Sequence, residues 1–233
     1  METFAQASPR SSPLPQTGVD ARPIAILGGT FDPVHNAHLR VAWEAAEALD
    51  ADVRLMPAHV PPHRPAPVAS ANQRVAILRA ALAGQTRLTL DERELRRDAP
   101  SYTVETLREL RAELGNERSL ILLIGADAFA GLPTWHEWPA LFDLAHLVVL
   151  TRPGHGADPP AQLLSAIADR RVLSASELQG SARGRVLELA VTPLEISASA
   201  VRAVLAAGGE PRWLVPDVLL EDPALLAPYR RPV

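Results

Sequence analysis

From Pro23 onward, short apolar runs alternate with longer stretches whose apolar residues recur at helical spacing. Ile24–Leu27, Val53–Met56, Leu88–Asp91, Ser119–Ile124, His146–Leu150, Val172–Leu173 and Val186–Val191 read as strands. Leu39–Leu49, Ala71–Ala83, Val104–Leu114, a short piece ending near Leu144, Asp158–Asp169, a stretch started by Ile196–Ser199 and running through Val201–Ala207, and Asp217–Leu226 read as helices. The run Leu120–Ile124 is the strongest strand signal. It is wholly apolar and closes on Gly125, which predicts a central strand covered on both faces. Strands separated by helices of this length predict an α/β protein. Its sheet should be doubly wound and mainly parallel, with a small helical part at the C-terminal end.

Two stretches break the alternation. Met1–Arg22 is rich in Ser, Pro, Ala and Gln and shows no apolar period. It is expected to be a disordered extension, without the apolar core of a secretory signal, and to leave residues 23–233 as a single domain. Pro57–Ala69 is a proline-dense loop, too rich in proline for regular helix or strand.

Composition narrows the chemistry. The chain has 233 residues, of which 47% are hydrophobic, so it can bury a sizeable core. Its net charge of −4 gives no global reason to expect a nucleic-acid or membrane partner, and no apolar run is long enough to span a bilayer. There is no cysteine, which excludes thiolate catalysis and Cys-type zinc sites. All 23 basic residues are arginine, so a Walker-type or Schiff-base lysine is also excluded.

The candidate chemistry gathers around Gly28-Gly29-Thr30-Phe31-Asp32-Pro33-Val34-His35-Asn36-Ala37-His38. A strand, a Gly-rich turn and a helix start in succession can cradle phosphates through backbone N–H groups and the positive end of the helix dipole. His35 and His38 should lie on one face of the first turn, where imidazole N–H groups can donate to a polyphosphate. The turn lacks a third glycine, which argues against a dinucleotide fingerprint, and lacks the lysine of a P-loop. A zinc site from His35, His38, His59, His63 and Asp32 can be drawn on paper, but His59 and His63 fall in the proline loop. No metal ligands are therefore assigned.

Gly28–His38 resembles the G-G-x-F-D-P-x-H-x-G-H signature of the nucleotidylyltransferase superfamily. Further stretches resemble the bacterial nicotinate-nucleotide adenylyltransferases in particular. These are Met56-Pro57-Ala58 with Pro61-Pro62-His63, Ser101–Leu107, Ile124–Asp127, Thr134–Glu137, Thr151–Gly154 and Ile196–Arg202. The resemblance runs in order from about Pro23 to Tyr229. Ala37 replaces the usual glycine of H-x-G-H, Arg64 a common lysine, and Ala198 and Ser199 the Ser and Thr of the I-S-S-T-type motif.

The resemblance implies a Rossmann-like nucleotidylyltransferase fold. It implies adenylyl transfer from ATP, with Mg²⁺, to nicotinate mononucleotide in NAD biosynthesis, in the cytoplasm. His35, His38 and Arg202 would be catalytic. Gly28, Gly29, Thr30, Phe31, Gly125, Asp127, Ile196, Ser197 and Ser199 would bind ATP. Thr103, Trp135, His136 and Asp32 would bind the nicotinate nucleotide, with Trp135 as a stacking plate. Trp138 reads as core, and Arg152 as either a phosphate contact or an ion-pair partner. The alternatives are the same reaction on the amidated mononucleotide, phosphopantetheine adenylyl transfer, a non-catalytic nucleotide-binding module, and a metal-binding protein. Nothing in the sequence fixes the oligomeric state.

Overall fold

The structure, a computed structural model, describes residues 22–59, 66–97, 101–152 and 158–230. Seven parallel strands form one sheet in the order β3-β2-β1-β4-β5-β7-β6. They are β1 (Ile24–Gly29), β2 (Asp52–Pro57), β3 (Leu88–Leu90), β4 (Leu120–Gly125), β5 (His146–Thr151), β6 (Arg171–Val172) and β7 (Val186–Ala190). The helices are α1 (Asn36–Ala48), α2 (Ala71–Ala81), α3 (Thr103–Leu114), α4 (Ala126–Ala130), α5 (Ala161–Ile167), α6 (Ala198–Ala206), α7 (Val218–Glu221) and α8 (Pro223–Leu226).

Each central strand feeds two cores. Ile121 and Leu123 of β4 join one cluster, with Ala42, Ala45 and Ala46 of α1, Ile77 and Leu78 of α2, and Val201 and Leu205 of α6. Leu120, Leu122 and Ile124 join the other, with Val104, Leu107 and Leu110 of α3 and Leu163 of α5. The two-residue period of a strand sends alternate side chains to opposite faces, so an unbroken apolar run is what a doubly covered strand requires. The chain changes faces between β3 and β4. Because β1 and β4 are neighbours, a crevice opens beyond their C-terminal ends, where ligands of such sheets bind.

All the expected strands form, within a residue or two at their ends. The differences lie in the helices. α1 begins at Asn36, ahead of the apolar period, because His35 serves as its N-cap. α4 has no helical period in the sequence, being five residues long and following β4 directly. The expected piece before Leu144 is a 3₁₀ turn, Trp138–Asp143. The expected helix over Asp217–Leu226 is divided into α7 and α8. Pro223 has no N–H to continue the ladder, and the Asp222 carboxylate caps Ala224 N–H at 3.0 Å.

The expected N-terminal extension lies outside the described residues except for Arg22. That residue pairs with Asp50 and Asp52, both at 3.2 Å. No helix among the described residues is long and apolar enough to cross a membrane.

Candidate functional site

In the turn after β1, Phe31 sits at φ +48°, a left-handed conformation that a residue with a Cβ disfavours, with its ring buried. The peptide joining Asp32 to Pro33 is cis. A Cβ on Gly29 would come within 3.0 Å of the Phe31 ring, so glycine is needed there to let the ring fold back. Gly28 and Gly125, near the ends of the neighbouring strands β1 and β4, are different. A Cβ on either would meet no protein atom within 4 Å. The fold does not require glycine at these two points, and their missing side chains leave the crevice open.

His35 and His38 stack with ring centroids 3.7 Å apart, and the Phe31 ring meets His38 edge-on at 4.9 Å. His38 Nδ1 accepts from the His35 backbone N–H at 3.4 Å, which leaves the proton of the neutral His38 ring on Nε2. His35 is 5% exposed, and its Nδ1 has no partner among the described residues. Burial, helped by the nearby charge of Arg152, lowers its pKa to about 4, so the ring is neutral at physiological pH.

The start of α1 is less open than a bare helix terminus. Asn36 N–H donates to Leu214 O at 2.9 Å, and the Asn36 side chain donates to Trp213 O at 2.8 Å. His38 N–H donates to His35 O. The sequence predicts unpaired donors here; a loop from far along the chain takes part of them. Ala37 is buried in this first helical turn, where alanine is a better helix former than glycine.

The second helix start is α6. Ser197 caps it, its Oγ accepting from Ala200 N–H at 3.1 Å. Ala198 and Ser199 contribute N–H groups at the same end, and Ile196 packs against the core just before the cap. Arg202 joins the two helix starts. Its Nη1 donates to the backbone carbonyl of Asp32 at 2.7 Å, and its Nη2 to Ser199 Oγ at 3.2 Å. The sequence-predicted phosphate residues of the two motifs are thus brought together.

The Asp32 side chain is tied into the fold. The residue is 4% exposed, and its carboxylate accepts from Val68 N–H at 2.8 Å, Ala69 N–H at 3.0 Å and Tyr229 Oη at 2.9 Å. The Tyr102 ring, at the N-cap of α3 just before Thr103, lies 4.6 Å from that of His136, the residue after Trp135. Trp135 is half-buried against the α3 side of the sheet. Trp138 packs edge-on against Phe142, as a core residue would. Gly125 caps α4, and Asp127 is exposed in its first turn.

Among the described residues, the histidines read as a set form no metal site. His63 lies outside those residues, His59 Nδ1 is 2.7 Å from Arg97 O, and Asp32 is occupied. Glu105, His136 and Glu137 do cluster, but they are exposed and Arg108 already pairs with both carboxylates at 2.6 Å.

Three residues that sequence reasoning did not single out build this site. Arg74 is 1% exposed and donates to Thr30 O at 2.7 Å and Ala58 O at 2.9 Å, fastening the loops after β1 and β2 to each other. A charged residue among the buried positions of α2 was its only signal. Asn36 and Tyr229 act through contacts across the fold, which no local pattern carries.

The family model for cytidylyltransferase-like proteins matches residues 26–204. A Pseudomonas aeruginosa protein named "probable nicotinate-nucleotide adenylyltransferase" is 49% identical over 211 residues, covering 90% of this chain and 98% of its own. An Aeromonas hydrophila protein of the same name is 48% identical over 195 residues, covering 83% and 91%. Among solved structures, the Plasmodium falciparum nicotinic acid mononucleotide adenylyltransferase complexed with NaAD superposes with a TM-score of 0.64. It is 15% identical and covers 86% of this chain and 96% of its own, a likeness of fold.

Proposed function

We infer from the nicotinate-nucleotide adenylyltransferase family, to which this chain belongs, that it transfers the adenylyl group of ATP to nicotinate mononucleotide. The products are deamido-NAD and pyrophosphate, and the step belongs to NAD biosynthesis. The observation that supports the site reading is the Arg202–Asp32 carbonyl bond, which ties α6 to the turn that leads into His35 and His38.

The chemistry needs no protein nucleophile. A phosphate oxygen of the mononucleotide attacks the α-phosphorus of ATP in line, a new P–O bond forms, and the bond to the β-phosphate oxygen breaks. The protein positions the two reactants and stabilises charge on the leaving pyrophosphate. His35, as a neutral ring, and His38 donate to phosphate oxygens, and Arg202 supplies fixed charge. The charge of Arg152, which already acts on His35, supports reading it as a phosphate contact. Ser197, Ser199 and the first N–H groups of α6 hold the terminal phosphates. Gly28, Gly29, Thr30 and Phe31 shape the turn under the triphosphate. Gly125 and Asp127 take the adenosine ribose. Thr103 and the backbone at His136 take the nicotinate carboxylate, and Trp135 stacks on the ring.

The donors around the triphosphate space are imidazole, guanidinium, hydroxyl and backbone N–H, which suit phosphate oxygens and not a bare cation. Mg²⁺ would therefore arrive with ATP as part of the substrate. We place the reaction in the cytoplasm and read residues 23–233 as one domain.

A pyrophosphate-release assay with MgATP and each pyridine mononucleotide tests this reading. Turnover faster with the nicotinate form is expected, and His38→Ala should lower kcat by about two orders of magnitude while leaving the fold intact. Faster turnover of the amide would reverse the substrate assignment. ATP binding without pyrophosphate release would leave a nucleotide-binding module.

A further inference from the structure

Arg202 and Asp32 are neighbours that do not form the pair their charges favour. A guanidinium beside a carboxylate ordinarily closes into a bidentate pair at about 2.8 Å. Here Nη1 stands 3.9 Å from Asp32 Oδ2 and donates instead to the Asp32 backbone carbonyl at 2.7 Å. The carboxylate is engaged elsewhere. Val68 N–H donates to Oδ2, while Ala69 N–H and the Tyr229 hydroxyl donate to Oδ1. Tyr229 is 4% exposed and comes from the 3₁₀ turn Ala227–Tyr229, far along the chain from the signature turn. Burial and the Asp32 charge push its hydroxyl up from the ordinary phenol value, so it remains a donor.

We propose that Tyr229 is a positioning residue: by donating to the Asp32 carboxylate, it keeps the Arg202 guanidinium available to the triphosphate. The proposal rests on the phosphate role of Arg202 given above. Removing the hydroxyl frees a lone pair of Oδ1 and leaves more of the carboxylate charge uncompensated in a buried place. A partner in reach is Arg202, whose side chain is 31% exposed and 3.9 Å from Oδ2. It would draw in toward the carboxylate and away from the phosphates. Arg74 of α2, the other buried cation nearby, already acts on Asp32 and Tyr229 in the wild type, with its Nη1 held by the carbonyls of Thr30 and Ala58.

Tyr229→Phe retains the buried ring and removes only the hydroxyl. With the wild-type background we expect kcat/KM for ATP to fall about tenfold, with KM for the mononucleotide changed less than twofold. In an Arg202→Leu background the same substitution should change kcat/KM for ATP less than twofold, because the group it positions is gone. Asp32→Asn removes the charge that would draw Arg202 in, so if Tyr229→Phe alone fails to fold, the Asp32→Asn/Tyr229→Phe pair is read against Asp32→Asn, where a change below twofold is expected and a fall of about tenfold overturns the proposal. A merely structural tyrosine would lower thermal stability and give the same fold-change in both backgrounds, which would overturn the proposal. So would wild-type kinetics in Tyr229→Phe. If the wild type releases no pyrophosphate, the functional reading fails, and the cycle is then read on the Kd of MgATP by calorimetry. There the same loss of coupling is expected, and its absence overturns the proposal.

Discussion

The buried imidazole of His35 makes the stability of this protein depend on pH in a defined direction. In the unfolded chain His35 titrates near 6.5, and in the folded chain near 4. Between these values the unfolded state holds a proton that the folded state does not, so stability rises with pH across the window. The contribution is complete above the unfolded pKa and is lost as pH falls through 6.5 toward 4. The gap between the two values corresponds to about 3 kcal/mol in all, of which about 2–2.5 kcal/mol falls between pH ~7 and pH ~4.5.

His35→Gln removes the titration while keeping a polar side chain of similar size. Urea unfolding of both proteins at the two pH values isolates this contribution, since every other titrating group is common to them. The wild type should lose about 2 kcal/mol more than the variant on acidification. Carbon-detected titration of the His35 ring gives the pKa directly. Arg152→Ala should raise it only part of the way back toward the ordinary histidine value, because burial is the larger cause. A free-protein pKa of about 6 or above, or equal acid sensitivity in wild type and His35→Gln, would falsify the reasoning.

The other expectations concern the scaffold and the pyridine site. Arg74→Met leaves two carbonyls without their charged donor but removes the cost of burying a guanidinium; a net loss of about 2–4 kcal/mol is expected in urea unfolding. A loss below about 1 kcal/mol would show that the clasp between the two loops contributes little. Trp135→Ala should raise KM for the mononucleotide about five- to tenfold while changing KM for ATP less than twofold, the scale expected for one aromatic contact. Equal effects on both substrates would remove the stacking assignment.

What the sequence makes legible follows from the range of the forces involved. The strands were readable because β4 and its neighbours are buried on both faces, and such burial demands apolar residues at every position. The start of α6 was readable in Ile196–Ser199 because a cap acts over three residues. α4 was not, because five residues give no period. The same divide runs through the site. The glycines, His35 and His38 carry their chemistry in one local string. The loss of α1 donors to Leu214, and the filling of the Asp32 carboxylate, depend on residues from the other end of the chain. A sequence shows that an aspartate is present; only the fold shows which donors occupy it.

The Tyr229–Asp32 bond also has a consequence for the order of synthesis. The signature turn is made early, yet one of its fastenings lies 197 residues later. At translation rates of roughly 5–20 residues per second, the ribosome needs on the order of 10–40 s to reach that residue. The nascent chain therefore carries the glycines and both histidines well before it can close the turn around Asp32. A stalled or shortened chain that ends before Tyr229 would hold the recognisable motif without the finished site.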